Sequence, residues 1–157
     1  MLNPRNRQSE IDNRQSPQSP HPVVLYDGVC GLCNRLIQFL LKHDHKEVFR
    51  YASLQSDLAG EILRRHDADP TELDTVCVVL DYETANEKML VRSDAVLFLG
   101  RALGGIWAVM AWSRVIPRTI RDAIYNFVAR TRYKVFGKYE TCMLPEPRHR
   151  DKFLDTQ

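Results

Sequence analysis

The sequence lacks an apolar run long enough to cross a bilayer. Its most apolar stretch, residues 102–113, is twelve residues long and is bounded by Arg101 and Arg114, whereas a spanning helix needs roughly 20 residues. Residues 1–22 also contain no apolar core of the kind that a secretory signal requires. These absences predict a soluble, cytoplasmic protein with no transmembrane segment.

The chain also has few cysteines and a small net charge. Four cysteines among 157 residues are too few for a disulfide-dense secreted scaffold. A net charge of +2 is too small to indicate a dedicated nucleic-acid binder. Apolar residues make up 44% of the chain and charged residues 27%, which is ordinary for a globular protein and argues against a disordered or collagen-like one.

The chain divides into a short polar tail and one domain. Residues 1–21 are rich in Pro, Ser, Asn, Gln and Arg, and such a segment has too little apolar surface to order itself. We therefore expect a disordered N-terminal tail at 1–21 and a single domain at 22–157, a length that suits one buried core.

Hydrophobic patterning within this domain predicts an α/β fold. Short apolar runs predict strands at 23–26, 48–52 and 75–80, with a hairpin partner at 88–91. Helical spacing of apolar residues predicts helices at 31–43, 56–66 and 93–103, with further helices after them. The order β-α-β-α-β-β-α favours a small central sheet flanked by helices, with extra C-terminal helices.

Polar residues at the expected helix ends agree with this map. Ser56 with Asp57 is placed to cap the second helix, and Ser93 with Asp94 the third, which Gly104 would end.

The last predicted helix is opened by Pro117 and has an apolar face at positions 120, 124, 127 and 128. Thr119 and Asp122 stand at capping-box spacing near its start.

Residues 101–138 carry eight basic side chains and one acid, a local net charge of +7. Such a region could attract an acidic protein, a nucleic acid or a membrane surface. The helical spacing of its aromatic residues instead favours a stripe packed on the core, with the basic side chains solvated opposite it.

The most informative feature of the sequence is Cys30-Gly31-Leu32-Cys33. The first strand ends near Asp27 and the helix begins close to Cys30, so we expect Cys30 to lie exposed at a helix N-terminus, where free N–H groups favour a thiolate. Cys33 shares the apolar stripe of that helix and is expected to be buried. Two such residues have Cα atoms about 5–6 Å apart, within disulfide range. This arrangement predicts thiol–disulfide exchange, in which Cys30 attacks and Cys33 resolves the intermediate.

The positions of Asp27 and the two other cysteines indicate their roles. Asp27 could be a turn or capping residue, or a base that deprotonates Cys33. Cys77 lies within a predicted strand and is expected to be an inert core residue. Cys142 follows a polar stretch, as a spare exposed thiol or as a third redox partner.

The alternative is a non-catalytic metal-binding or protein-interaction module that uses the CxxC as ligands. Tetrahedral zinc usually takes two pairs of ligands, and here only Cys142 with His149 could complete a site through long-range folding. The exchange mechanism requires no cofactor, because the cysteines carry the electrons.

Residues 23–34, VVLYDGVCGLCN, resemble the DCC family of thiol–disulfide oxidoreductases, which is named for its Asp-x-x-Cys-x-x-Cys motif. The resemblance extends over 22–154 through Ser93-Asp94-Ala95 and a C-terminal block: Pro117, Arg121-Asp122, Tyr125, Arg132-Tyr133, Phe136-Gly137 and Cys142. It implies a thioredoxin-like fold, site residues Asp27, Cys30 and Cys33, and a protein or small-molecule disulfide or thiol as substrate. In well-studied thioredoxins a cis-proline precedes the third strand; here we expect Thr75 in that position.

Overall fold

A computed structural model of the chain describes residues 21–69, 76–108, 115–140 and 146–155. The expected disordered tail lies outside the described residues except for His21. Thr75 and Cys142 lie outside them too.

A four-stranded mixed sheet forms the centre of the domain. Strand β1 (Val23–Tyr26) runs parallel to β2 (Arg50–Ser53) on one side and antiparallel to β3 (Val76–Leu80) on the other. Strand β4 (Lys88–Val91) pairs with β3 as a hairpin, which gives the order β2-β1-β3-β4. This mixed sheet with flanking helices confirms the predicted α/β, thioredoxin-like class.

Helices cover both faces of the sheet. They are α1 (Gly31–His43), α2 (Asp57–Arg65), α3 (Arg92–Leu103), α4 (Arg118–Phe136) and a short 3₁₀ helix (Pro147–Lys152). Alternate residues of each strand point to opposite faces, so β1 contributes to two separate clusters. Val24 and Tyr26 pack with α1 and α3, whereas Val23 and Leu25 pack with α2. Burial on both faces explains why β1 is a continuous apolar run.

The predicted end of α3 at Gly104 and the predicted start of α4 at Pro117 are confirmed, whereas the expected side-chain caps are correct for α2 only. Ser56 caps α2, and its hydroxyl accepts a hydrogen bond from the Ala59 N–H at 3.2 Å. Ser93 instead lies inside α3, which begins at Arg92, and its hydroxyl donates to Asp122 of α4. The Thr119–Asp122 capping box does not form, because Pro117 is the N-cap residue of α4 and makes no side-chain cap.

The predicted core stripe of α4 faces outward. Ile120, Ile124 and Phe127 are 52%, 58% and 69% exposed. The helix packs on α1 and α3 through its other side, where Ala129 and Arg132 are buried. Within the described residues, no helix is both long and apolar enough to span a membrane.

Candidate active site

The CxxC segment lies where β1 passes into α1. Cys30 is the N-cap residue of α1, with extended backbone angles. Its N–H donates to the Asp27 carbonyl at 3.2 Å, and its carbonyl accepts from the Asn34 N–H at 3.0 Å. The Asn34 side chain also donates to the Gly28 carbonyl at 2.9 Å. These bonds fix the turn that presents Cys30 beside the first-turn N–H groups, where the helix dipole favours a negative charge.

Both thiols of the motif are buried. Cys33 is buried, as predicted, but the expectation of an exposed Cys30 is wrong, since its exposed fraction is 0%. Residues 137–139, which we call the covering segment, lie across it. Lys138 forms an antiparallel bridge with Cys30, and the Tyr139 N–H donates to the Val29 carbonyl at 2.8 Å.

The covering segment approaches the motif closely because position 31 is glycine. The Gly31 N–H donates to the Gly137 carbonyl at 3.2 Å. A Cβ atom at position 31 would lie far inside van der Waals contact of the Phe136 carbonyl. Any other residue at position 31 would therefore force the chain around Phe136 to move.

Burial and two neighbouring groups act on the Cys33 thiol. Burial raises its pKa, and the adjacent Cys30 thiol raises it further by charge and by hydrogen bonding, to about 12. The Arg132 guanidinium opposes both, because a positive charge beside a thiol favours the thiolate.

Arg132 is held by an aspartate and a tyrosine. Its Nη2 atom lies 3.3 Å from Asp27 Oδ2 and donates to the Tyr133 hydroxyl at 2.7 Å. The Tyr133 hydroxyl in turn donates to Asp27 Oδ2. The other carboxylate oxygen of Asp27 accepts from the Val29 N–H at 3.1 Å and from the Gln55 side chain at 3.0 Å. Both oxygens of Asp27 are therefore occupied by protein donors.

The Arg132 guanidinium is buried close to the dithiol. The side chain of Arg132 is 5% exposed, and within the described residues its Nε and Nη1 atoms make no conventional hydrogen bond. The positive charge of the guanidinium acts on both Cys33 and Cys30. Buried polar atoms without partners are costly, and a thiolate at either cysteine would compensate the buried positive charge.

Sequence reasoning names Arg132 without assigning it to the site. Arg132, unlike Arg130, belongs to the C-terminal block of the family resemblance, but neither helical spacing nor charge distinguishes the two arginines. Only the packing of α4 beside α1 shows that one of these arginines is buried at the dithiol.

The other candidate residues lie apart from this site. Cys77 packs in the cluster on the opposite face of the sheet, and burial raises its pKa to about 12. Among the described residues, no three His, Cys, Asp or Glu side chains lie together as a metal site would require. The alternative zinc site with His149 depends on Cys142, which is outside those residues.

Comparisons with known proteins agree with the resemblance seen in the motif. A family model for DCC1-like thiol-disulfide oxidoreductases matches residues 24–138. The chain is 34% identical over 139 residues to the uncharacterised protein YuxK of Bacillus subtilis (strain 168), which covers 88% of this chain and 98% of that protein. It is 30% identical over 128 residues to a chloroplastic DCC family protein of Arabidopsis thaliana, covering 81% and 72% respectively. No solved structure matches.

Proposed function

Because the chain belongs to the DCC1-like thiol-disulfide oxidoreductase family, we propose that it exchanges the Cys30–Cys33 dithiol with disulfides of proteins or small molecules. The observation that carries the proposal is the buried Arg132 guanidinium beside two thiols at a helix N-terminus. Cations and helix N-termini both favour the thiolate, which is the reacting form of cysteine. A cytoplasmic location, as expected from the sequence, is part of the same proposal.

The exchange has two steps. The Cys30 thiolate attacks one sulfur of a substrate disulfide and forms a mixed disulfide with it. The other substrate sulfur leaves as a thiolate, which takes up a proton. Cys33 then loses its proton and attacks Cys30 Sγ, which breaks the mixed disulfide and releases the second substrate thiol. The substrate gains two electrons and the dithiol loses two. Reversing both steps oxidises a substrate dithiol.

The electrostatics of Cys33 support this order. Two of the causes that raise its pKa come from Cys30, namely its charge and its hydrogen bond. Both are lost when the sulfur of Cys30 enters a mixed disulfide, whereas the charge of Arg132 remains. The pKa of Cys33 therefore falls at the stage when its thiolate is needed.

Asp27 serves in this proposal as a positioning residue. The sequence leaves open a role as the base that deprotonates Cys33, but each of its oxygens already accepts two contacts from protein donors. Its negative charge compensates the buried Arg132 and fixes the guanidinium against the thiols.

Substrate reaches the thiols only when the covering segment moves. Cys30 has no exposed surface, and exchange requires a disulfide to approach its sulfur in line. The hydrogen bonds at Val29 and Gly31 hold the segment in place. Its opening is a local event that leaves the sheet intact.

An equilibrium redox titration tests the proposal. The protein is equilibrated in glutathione buffers, free thiols are alkylated, and Cys30 and Cys33 are quantified by peptide mass spectrometry. We expect both to become oxidised together at one potential, while Cys77 stays reduced in the folded protein. A potential near −270 mV would indicate a reductant and one nearer −120 mV an oxidant, as roughly observed for thioredoxin and DsbA.

The Cys33→Ser variant provides the control for the second step. It should accumulate a stable mixed disulfide between Cys30 and glutathione, because no resolving thiol remains. If the wild-type cysteines stay fully alkylated in oxidising buffer, exchange is excluded. Protection of both cysteines together with bound zinc would favour the metal-binding alternative.

A further inference from the structure

Exposed apolar residues are concentrated in one part of the chain. Every large apolar side chain that is exposed among the described residues lies between positions 106 and 139. They are Ile106, Val115, Ile116, Ile120, Ile124, Phe127, Val128, Tyr133, Val135 and Tyr139. Single exposed apolar residues are normal, but a contiguous group of them marks an interaction surface.

Helix α4 contributes a continuous face to this group. Ile120, Ile124, Phe127 and Val135 recur at helical spacing, and Phe127 and Val135 are each 69% exposed. The opposite side of α4 holds Arg132 against the dithiol. The helix is therefore amphipathic in an unusual sense, since its apolar side faces solvent. We call Ile120, Ile124, Phe127, Val128 and Val135 the outer face of α4.

The border of the outer face is basic. Arg130 and Lys134 are exposed beside Phe127 on the helix surface, and Lys138 follows in the covering segment. The only acidic residue of α4 is Asp122, which is directed inward and interacts with Ser93 and Arg118. An apolar face bordered by positive charge and without negative charge is complementary to anionic lipid.

We propose that the outer face of α4 binds the surface of an anionic lipid bilayer. The helix would lie in the plane of the interface, with Ile124 and Phe127 inserted and Arg130 and Lys134 at the headgroups. A second copy of the chain is a poorer occupant, because the same basic residues would face each other without acidic partners. This inference is independent of the redox proposal. Because α4 also carries Arg132, binding would hold the dithiol within one helix diameter, ~10 Å, of the lipid surface.

Vesicle flotation with the full chain tests the inference. Phosphatidylcholine vesicles are compared with vesicles that also contain phosphatidylglycerol. We expect the wild-type protein to float with the anionic vesicles only, and to be released as the salt concentration rises. Each basic residue near such a surface strengthens binding by roughly fivefold, so Arg130→Gln with Lys134→Gln should weaken it by more than tenfold.

A matched control separates local from overall charge. Arg64 and Lys46 are exposed outside the 106–139 region, so Arg64→Gln with Lys46→Gln removes the same net charge and should leave binding nearly unchanged. Ile124→Ser with Phe127→Ser should abolish binding without altering the urea midpoint, because both side chains are exposed.

Three outcomes would overturn the inference. The first is a wild-type protein that does not float with anionic vesicles. The second is binding that depends on Arg130 and Lys134 but is unaffected by Ile124→Ser with Phe127→Ser, which would indicate general attraction to polyanions such as nucleic acid. The third is a dimer in sedimentation analysis that Phe127→Ser converts to a monomer, which would assign the outer face of α4 to a second copy.

Discussion

Arg132 connects the acidic and the thiol groups of the site. Its Nη2 atom contacts Asp27 and Tyr133, and its charge acts on Cys33 and Cys30. A charge enclosed in protein acts through a lower effective dielectric than the same charge at the surface. A buried arginine can therefore change thiol chemistry more than the several exposed basic residues of the same helix.

We predict that Arg132→Met slows the resolving step. With Cys30 held in a mixed disulfide with glutathione, the release of glutathione reports the attack by the Cys33 thiolate. Without the guanidinium the pKa of Cys33 rises, so the rate at neutral pH should fall by about tenfold for each pKa unit and recover at higher pH. The measurement is glutathione release as a function of pH.

Two further variants separate charge from structural damage. Arg132→Lys keeps the charge and should restore part of the rate, whereas Arg132→Met with Asp27→Asn removes the unpaired buried carboxylate and should restore stability without restoring the rate. Arg130→Met is the matched control on the exposed side of α4. An unchanged pH profile in Arg132→Met would refute this role.

Gly31 allows the covering segment to lie close over Cys30. We predict that Gly31→Ala displaces the segment around Phe136, because the added Cβ overlaps its carbonyl. Overpacking of this kind costs about 1–3 kcal/mol, so the urea midpoint should fall. At the same time Cys30 should be alkylated faster in the reduced protein.

Gly60→Ala is the matched control for this substitution. Gly60 lies in α2, and a Cβ atom added there would meet no atom within 4 Å beyond its chain neighbours and the backbone of its own helix, so alanine should stabilise the helix by up to about 1 kcal/mol. If both variants alter Cys30 alkylation equally, Gly31 has no special role in positioning the covering segment.

The limits of individual strands and helices can be predicted from the sequence where contacts between neighbouring residues determine them. The limits of β1 and α1 agree with the sequence prediction to the residue, because an apolar run and a helical stripe are properties of neighbouring residues. The sequence predicts the second strand at 48–52, but the strand pairs over Arg50–Ser53. Asp44, which follows α1, is buried, and its carboxylate accepts from the Val48 and Phe49 N–H groups at 3.0 Å each.

The errors at the site and on α4 have a different cause. Burial of Cys30 depends on the covering segment, more than a hundred residues further along the chain. Helical spacing shows that one side of α4 is apolar, but it does not show whether that side meets the core. These properties depend on tertiary packing, and a single sequence has no local signal for them.

Glu87, in the β3–β4 turn, interacts with the C-terminal end of α2. Arg65 donates to both of its oxygens at 3.1 Å, His66 lies 2.9 Å away, and the Glu83 N–H donates at 2.9 Å. Burial would raise the pKa of Glu87, but the hydrogen bonds from Glu83, His66 and Arg65 outweigh it, and the pKa is lowered.

We predict that Glu87 stabilises the fold at neutral pH and not in acid. Because its pKa is lower when folded than when unfolded, its contribution is present above the unfolded value and is lost as pH falls through the folded value. Urea unfolding of Glu87→Gln and wild type should therefore differ at pH 7 and converge in acid. Glu61→Gln, on the exposed side of α2, should show no such difference, and a Glu87→Gln deficit that persists in acid would contradict the argument.

For the whole molecule, the important distinction is between the sheet and the segment that covers the dithiol. Cys77 lies in β3 between two neighbouring strands and is 1% exposed. Cys30 is equally buried, but it is covered by a segment held through a few backbone hydrogen bonds. Regions with few stabilising contacts open at lower free energy than the central strands. The same degree of burial should therefore correspond to very different accessibility over time.

We predict that Cys30 becomes reactive by local opening and Cys77 only by global unfolding. In reduced protein, Cys30 alkylation should be the faster reaction and should depend weakly on urea. Cys77 alkylation should accelerate with a urea dependence equal to the m-value of unfolding. Peptide mass spectrometry resolves the two sites, and rates in fully unfolded protein normalise their intrinsic reactivities. If Cys30 reacts no faster than Cys77, the cover opens only with the whole domain, and a substrate disulfide would have no route to the dithiol in the folded protein.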